Sequence, residues 1–389
     1  MDIFNLLVDV VNYPFRKLKS FIKKKLGWIG KPIILPYRGY GNHYQFFIRG
    51  RVIEDTGLSQ PEEHDSLWQN LLAMVKRYSS SGISDVEVYA EFAGRVRRYT
   101  TDDDGFFIVN QRVEEGMIDD EDWQPIRFYI LKDDKLFTES YGEILLTRKR
   151  AQYGVITDID DTLLISHATN MRKKLRLMLF KNAKTRLPFD GVAAFYCALE
   201  RGTGNTEDEK NFNPFFYVSS SEWNLYDLLA DFCHHHDLPK GPFLLREVKI
   251  NLKKMWKSGG GNHDHKLDKI RHILSLHEER EFILIGDSGQ HDAEIYKQIV
   301  HEFPERIKTI YIRDVVPKRH DFVNNIAEEL IAYDTRMLLV KDTEAAAVDA
   351  IQKGYLPPKA LKGIVDEKTF NKHMASDFQI VFERMVNQE

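Results

Sequence analysis

Cysteine is nearly absent from this chain. Cys197 and Cys233 are the only two in 389 residues, and each falls inside an apolar, helix-periodic pattern. Two such thiols cannot build a disulfide framework or a cysteine-rich zinc site, and packing thiols are the expected role. Long apolar runs are missing too. No stretch approaches the length that crosses a bilayer, and the first residues lack the charge, apolar core and small-residue cleavage site of a secretory signal. Charge of one sign is also lacking. The formal net charge is −4, which gives no global attraction to nucleic acid. These absences together predict a cytoplasmic protein in a reducing compartment. A hydrophobic content of 43% against 29% charged residues is ample for globular cores, and the length predicts two to three domains.

Local charge is less even. In residues 1–31 the basic side chains Arg16, Lys17, Lys19, Lys23, Lys24, Lys25 and Lys31 interleave with Phe15, Leu18, Phe21, Ile22 and Leu26, with no acid after Arg16. A basic amphipathic helix of this kind suits a membrane surface, or a docked helix with a solvated face. Residues 33–150 carry short alternating runs, among them Tyr44–Ile53, Val86–Phe92, Arg95–Tyr99, Phe106–Val109, Ile126–Leu131 and Glu143–Thr147, separated by turn signals. They predict a β-sandwich-like accessory domain, interrupted by one helix from Ser66 to about Tyr78. Acid clusters at Asp102–Asp104 and Asp119–Asp122 read as solvated turns rather than Ca²⁺ sites.

From 151 to 345 apolar strands alternate with helical patterns, which predicts an α/β domain with a Rossmann-like parallel sheet. The expected strands are Gly154–Thr157, Phe215–Val218, Phe243–Leu245, Phe282–Ile285 and Thr309–Ile312. Residues 316–389 read as mainly helical, with clear pieces at Phe322–Ala332 and Asp342–Lys353, and 346–389 form a C-terminal helical tail. The triple His234–His236 closes a helical run, where histidines favour the helix dipole, and no metalloprotease spacing accompanies it.

The chemistry collects at strand ends. Gly154-Val155-Ile156-Thr157 runs into Asp158, Asp160 and Asp161, with Thr162 beside them. Acids so close repel unless a cation neutralises them, which points to a hard metal, Mg²⁺. Asp158 and Asp160 face the same side of an extended chain, so one can act as nucleophile and the other as proton donor. A second apolar strand ends in Ser219-Ser220-Ser221 before a helix; Ser219 is expected to hold phosphate and Ser220 or Ser221 to cap. Lys266 opens a helix, where a cation costs dipole energy unless an anion is near. Phe282–Ile285 ends in Gly286-Asp287-Ser288-Gly289-Gln290-His291-Asp292. Asp287 can complete a Mg²⁺ cage with Asp158 and Asp160, and Asp292 can hold a metal-bound water or orient Lys266. Neither a P-loop nor a Gly-x-Ser-x-Gly elbow is present.

Asp-x-Asp-x-Thr at Asp158–Thr162, followed by the hydroxyl strand, the lysine helix and a second acid strand, resembles the haloacid dehalogenase-like phosphohydrolases. Gly-Asp-Ser-Gly-Gln-x-Asp-x-Glu-Ile-Tyr at Gly286–Tyr296, with Tyr217–Trp223 and His265-Lys266-Leu267, resembles the actin-patch-type phosphatidate phosphatase family over roughly 150–345. The resemblance implies a haloacid dehalogenase-like domain and Mg²⁺-dependent release of phosphate from phosphatidate to give diacylglycerol. The catalytic pair would be Asp158 and Asp160. Ser219, Lys266 and Thr162 would bind phosphate, and Asp158, Asp160, Asp287 and Asp292 would serve the metal. The proline-rich tail of fungal members has no counterpart here, which suits a shorter relative. The short intervals between these elements leave no room for a large cap domain. The insert Met171–Arg186 is basic and apolar, with Arg172, Lys173, Lys174, Arg176, Lys181, Lys184 and Arg186 among Leu175, Leu177 and Leu179. It suits an anionic phospholipid at a membrane to which the enzyme binds peripherally. The alternatives are a phosphatase for a protein or soluble phosphoester, and a non-catalytic membrane-binding scaffold.

Overall fold

The computed structural model describes residues 31–55, 82–113, 121–147, 151–159, 190–203, 212–246 and 264–369. The chain divides into two compact units, 1–147 and 148–389. The predicted N-terminal basic segment apart from Lys31, the predicted helix at 66–78 and the basic insert at 171–186 lie outside the described residues, as do Asp160 and Thr162.

The first unit is built on a mostly antiparallel eight-stranded sheet. Its strands are β1 (Pro32–Pro36), β2 (Gly39–Gly41), β3 (Gln45–Glu54), β4 (Glu87–Phe92), β5 (Arg95–Thr100), β6 (Phe106–Arg112), β7 (Trp123–Lys132) and β8 (Lys135–Leu146). The path runs β1-β3-β2-β8-β7-β4-β5, with β6 on β3. One pair, β2 with β8, is parallel. Alternation decides which face is buried: in β7 the side chains of Gln124, Ile126, Phe128 and Ile130 are buried and their neighbours are not. Phe46 of β3 meets Phe92 of β4 at 4.8 Å, and Phe107 of β6 meets Phe128 of β7 at 5.3 Å. These strands are not hydrogen-bonded neighbours, so the sheet folds over its own apolar face. In the β5–β6 turn the Asp102 carboxylate accepts the backbone N–H groups of Asp104 and Phe106 at 3.0 and 2.9 Å, which is turn chemistry.

The second unit holds a six-stranded, wholly parallel sheet: β9 (Gly154–Asp158), β10 (Phe215–Glu222), β11 (Phe243–Arg246), β12 (Phe282–Asp287), β13 (Ile307–Arg313) and β14 (Arg336–Val340). The order is β11-β10-β9-β12-β13-β14. The chain winds outward from β9 in one direction, then returns to lay β12 on its other side. The gap between β9 and β12 is therefore the topological switch point, where ligands bind at strand carboxyl ends. β9 is buried along its whole length, as an interior parallel strand must be. Gly154 lets it approach β12, because a Cβ there would lie 2.3 Å from the Phe282 ring.

Described helices are α1 (Val192–Arg201), α2 (Tyr226–His235), α3 (Asp264–Leu276), α4 (Asp292–Glu302), α5 (His320–Leu330) and α6 (Thr343–Gln352). Successive contacts link α3, α4 and α5, while α6 packs on α1. α1 meets the sheet through Tyr196 on Phe215 and Phe195 on Tyr311. β14 corrects the expectation of a helical region after 316: its Met-Leu-Leu-Val run pairs with β13 from Thr309↔Arg336 to Arg313↔Val340. Residues 360–369 are helical. Glu367 accepts the Ala194 N–H at 2.6 Å, and Tyr153 donates to the Tyr355 carbonyl at 3.1 Å. The segment after α6 is thus bonded to α1 and to the residue that leads into β9.

Candidate active site

The last residue of β9, Asp158, is fully buried and ion-paired. Lys266 Nζ lies 3.0 Å from Asp158 Oδ1 and 2.6 Å from Asp292 Oδ1, with the lysine side chain 4% exposed and both carboxylates at 0%. Lys266 sits in the first turn of α3 and Asp292 opens α4. An acid at a helix N-terminus is favoured by the dipole and a lysine is not, so the two carboxylates hold Lys266 where its helix does not. The other oxygen of Asp292 accepts the Asp287 N–H at 3.1 Å. Gly286 permits this approach: a Cβ there would fall 2.5 Å from Asp292 Oδ2.

Asp287 ends β12 and fixes the loop after it. Its Oδ1 accepts the N–H groups of Gly289 and Gln290 at 2.6 and 3.1 Å. Ser288 Oγ accepts the N–H groups of Val315 and Val316, at 2.9 and 3.0 Å, tying this loop to the chain that follows β13. The Gln290 amide enters the cluster. Its Oε1 accepts from Lys266 Nζ at 3.2 Å and its Nε2 donates to Asp158 Oδ2 at 3.1 Å.

Ser219, in β10, is fully buried one residue beyond the register partner of Asp158. Its Oγ accepts the Ser221 N–H at 2.8 Å, and its carbonyl accepts from Lys269 Nζ at 2.7 Å. The expected cap does not form. β10 continues through Glu222, and α2 starts at Tyr226 with no side-chain cap. Beneath the cluster, the Thr157 hydroxyl shares a 2.8 Å hydrogen bond with Tyr196, whose hydroxyl burial pushes well above its usual range. Arg313, in register with Asp287 on β13, borders a cleft with Tyr196, Gly286 and Thr343. Burial lowers its guanidinium to about 10.

Asp158, Asp287 and Asp292 each offer a carboxylate oxygen within 4.8 Å of the others. Among the described residues the three buried carboxylates surround the buried Lys266, and so acidic a cluster is unfavourable without further compensating positive charge. Hard oxygen donors in that number fit a hard divalent ion such as Mg²⁺.

Comparison with known proteins finds relatives for the segment that carries this site. Residues 153–314 match the family model described as "Phosphatidate phosphatase APP1, catalytic domain". That segment is similar to the APP1 catalytic domain. The phosphatidate phosphatase APP1 of Saccharomyces cerevisiae is 31% identical over 228 residues, covering 57% of this chain and 37% of the relative. An uncharacterized protein of Schizosaccharomyces pombe is 25% identical over 285 residues, covering 69% of this chain and 44% of the relative. The chain thus spans less than half the length of the curated relatives it matches. Among solved structures, a glycosyl hydrolase family 2 member from Bacteroides cellulosilyticus aligns at 11% identity over 87% of this chain and 44% of its own, with a TM-score of 0.26; at that score the likeness carries no argument.

Within residues 153–314 the structure brings together Asp158, Lys266, Asp287 and Asp292, with Ser219 on the neighbouring strand. Asp160 and Thr162 are not among the described residues. Sequence reasoning assigned no part to Gln290, Lys269, Tyr196 or Arg313. Lys269 had a legible signal, since it lies one helical turn after Lys266. Gln290 stood in the Gly286–Tyr296 motif, but a neutral amide leaves no mark in a charge pattern and so suggested no role.

Proposed function

We propose that this chain is a Mg²⁺-dependent phosphatidate phosphatase of haloacid dehalogenase-like type, releasing phosphate from phosphatidic acid to give diacylglycerol. The observation that carries the reading is the buried Asp158–Lys266–Asp292 arrangement beside Asp287 at the sheet's switch point. The family match over this segment supports the substrate class.

Asp158, Asp287 and Asp292 would hold Mg²⁺, with Asp160 alongside, and the ion would supply charge neutralisation to the phosphoryl oxygens. Asp158 attacks phosphorus, forming an aspartyl-phosphate. Asp160 protonates the departing alcohol oxygen, then takes a proton from the water that hydrolyses the intermediate. Lys266 offsets negative charge on Asp158 and on the transferring group, and Ser219 and Thr162 serve phosphate binding. Asp292 orients Lys266. Burial keeps water from the carboxylates until substrate is in place.

Phosphatidate is a membrane lipid, so the enzyme acts as a cytoplasmic protein bound peripherally to an anionic bilayer. The basic, apolar segments 1–31 and 171–186 support that placement. No described helix is long and apolar enough to cross a membrane. The test is Mg²⁺-dependent phosphate release from phosphatidate in mixed micelles, with a soluble phosphomonoester in parallel and Asp158→Asn as control. Preference for the lipid supports the full reading. Activity on the soluble ester alone keeps the mechanism and removes the lipid. Activity on neither removes the lipid reading and moves the weight to a protein phosphoester or to a non-catalytic scaffold.

A further inference from the structure

Gln290 belongs to none of the roles above, yet it touches both charged partners at the centre of the site. Lys266 Nζ donates to its Oε1 at 3.2 Å, and its Nε2 donates to Asp158 Oδ2 at 3.1 Å. The amide can point only one way. Turned over, it would set N–H against an ammonium and a carbonyl against a carboxylate. The residue is also held by its backbone. Its N–H donates to Asp287 Oδ1 at 3.1 Å, and its carbonyl accepts from the Arg319 guanidinium. Arg319 is itself fixed by Glu294 and lies over the Phe322 ring at 5.2 Å. The neighbouring Ser288 is locked by the N–H groups of Val315 and Val316.

From this we infer that Gln290 is a positioning residue that sets the rotation of the Asp158 carboxylate. The inference rests on the reading of Asp158 as nucleophile. Lys266 at Oδ1 and the Gln290 amide at Oδ2 hold the two ends of the carboxylate; together they oppose its rotation about the last side-chain bond and keep the same oxygen towards phosphorus in each turnover. A glutamine does this where a charged residue fails, because it donates to the carboxylate and accepts from the ammonium at once. The loop that carries it is pinned from β12, α4 and the segment after β13, which gives it the rigidity such a role requires.

The test uses the full chain with Gln290→Met and Gln290→Glu. Methionine keeps the length and removes both hydrogen bonds. Glutamate keeps the acceptor for Lys266 and removes the donor to Asp158. Gln290 is half-buried, so both variants are expected to melt within about 2 °C of the wild type. With phosphatidate and Mg²⁺, both lose kcat about 100-fold, the scale of an ångström-level misplacement, while KM stays within about twofold. Their crystal structures show Asp158 turned away from its wild-type orientation. Wild-type kcat in Gln290→Met, or a raised KM at unchanged kcat, overturns the inference. If the wild type turns over no phosphoester, the functional reading fails on its own. The orientation of Asp158 in the variant crystals still decides the inference: a turned carboxylate supports it, and an unmoved one refutes it.

Discussion

Lys266→Met removes the buried cation that the structure pairs with Asp158 and Asp292. Methionine has nearly the same length, adds no polar atom and leaves the volume filled. Two contacts vanish, at 3.0 Å to Asp158 and 2.6 Å to Asp292, both with carboxylates at 0% exposure. Removing one partner of a buried pair costs about 3–5 kcal/mol, because a buried charge loses the counterion that offset its desolvation. In a unit of this size each kcal/mol moves the melting temperature by about 2–4 °C, so the variant should melt roughly 10 °C lower in EDTA. Added Mg²⁺ should restore more of that loss in the variant than it adds to the wild type, since the cluster's negative charge is larger without lysine. At 100 times the Kd a bound ion contributes about 2.7 kcal/mol. The assay is calorimetry of both proteins with EDTA and with millimolar Mg²⁺. Equal melting in EDTA would refute the reasoning. It would mean that the lysine is not the counter-charge of a dry acid cluster.

Asp158→Asn should abolish phosphate release while leaving the circular dichroism spectrum unchanged, because Lys266 keeps its pair with Asp292; wild-type-like turnover would sink the mechanism. Gly286→Ala would put a methyl group 2.5 Å from Asp292 Oδ2, so Asp292 must shift. Activity should fall at least tenfold with a lowered melting temperature, and unaltered kinetics would count against the role of Asp292. His277 is held neutral by burial, which lowers it to about 3, against about 6.5 unfolded. The unfolded state therefore binds the proton first, and stability is lost as pH falls from about 6.5 towards 3. At pH 5 the loss from this group is about 2 kcal/mol. His277→Phe, packed against Phe216 and Phe282, should flatten the difference in urea midpoint between pH 7 and pH 5; an unchanged slope would refute the assignment.

How far the sequence discloses this site depends on the kind of residue. β9, β10 and β12 are interior parallel strands, so their apolar runs are continuous. Asp158 and Asp287 could be placed at strand ends for that reason, whereas β10 runs past Ser219 to Glu222 although its apolar run stops at Val218. β14 was hidden, because its five residues lie between two helices and begin with the half-exposed Arg336. β1 and β2 were hidden differently, the first between Pro32 and Pro36 and the second only three residues long. In the first unit alternation identified strands well, but not their pairing. Nothing local says that β2 runs parallel to β8 more than a hundred residues later. The meeting of Lys266 with Asp158 and Asp292 was expected from charge logic, since each needs a partner when buried. Gln290 carries no charge to demand one, so the motif names it but only the folded arrangement gives it a role.

The switch-point topology explains why these residues can meet. β9 and β12 are adjacent in the sheet although α1, β10, α2, β11 and α3 separate them in the chain. Adjacent parallel strands bring their carboxyl ends to one edge, so Asp158 and Asp287 share it. The helices on either side of β12 in the chain, α3 before it and α4 after it, contact one another. Their first turns supply Lys266 and Asp292. The dipole of α4 favours Asp292, while that of α3 opposes Lys266 by about 0.3–1 kcal/mol. The opposing term is small beside the cost of leaving Asp158 and Asp292 uncompensated in a dry site. A lysine one turn further along α3 does not replace it: Lys269 reaches the Ser219 carbonyl instead. The first turn is the position from which this helix delivers a cation to both carboxylates, so its location follows from the electrostatics of the cluster rather than from helix propensity.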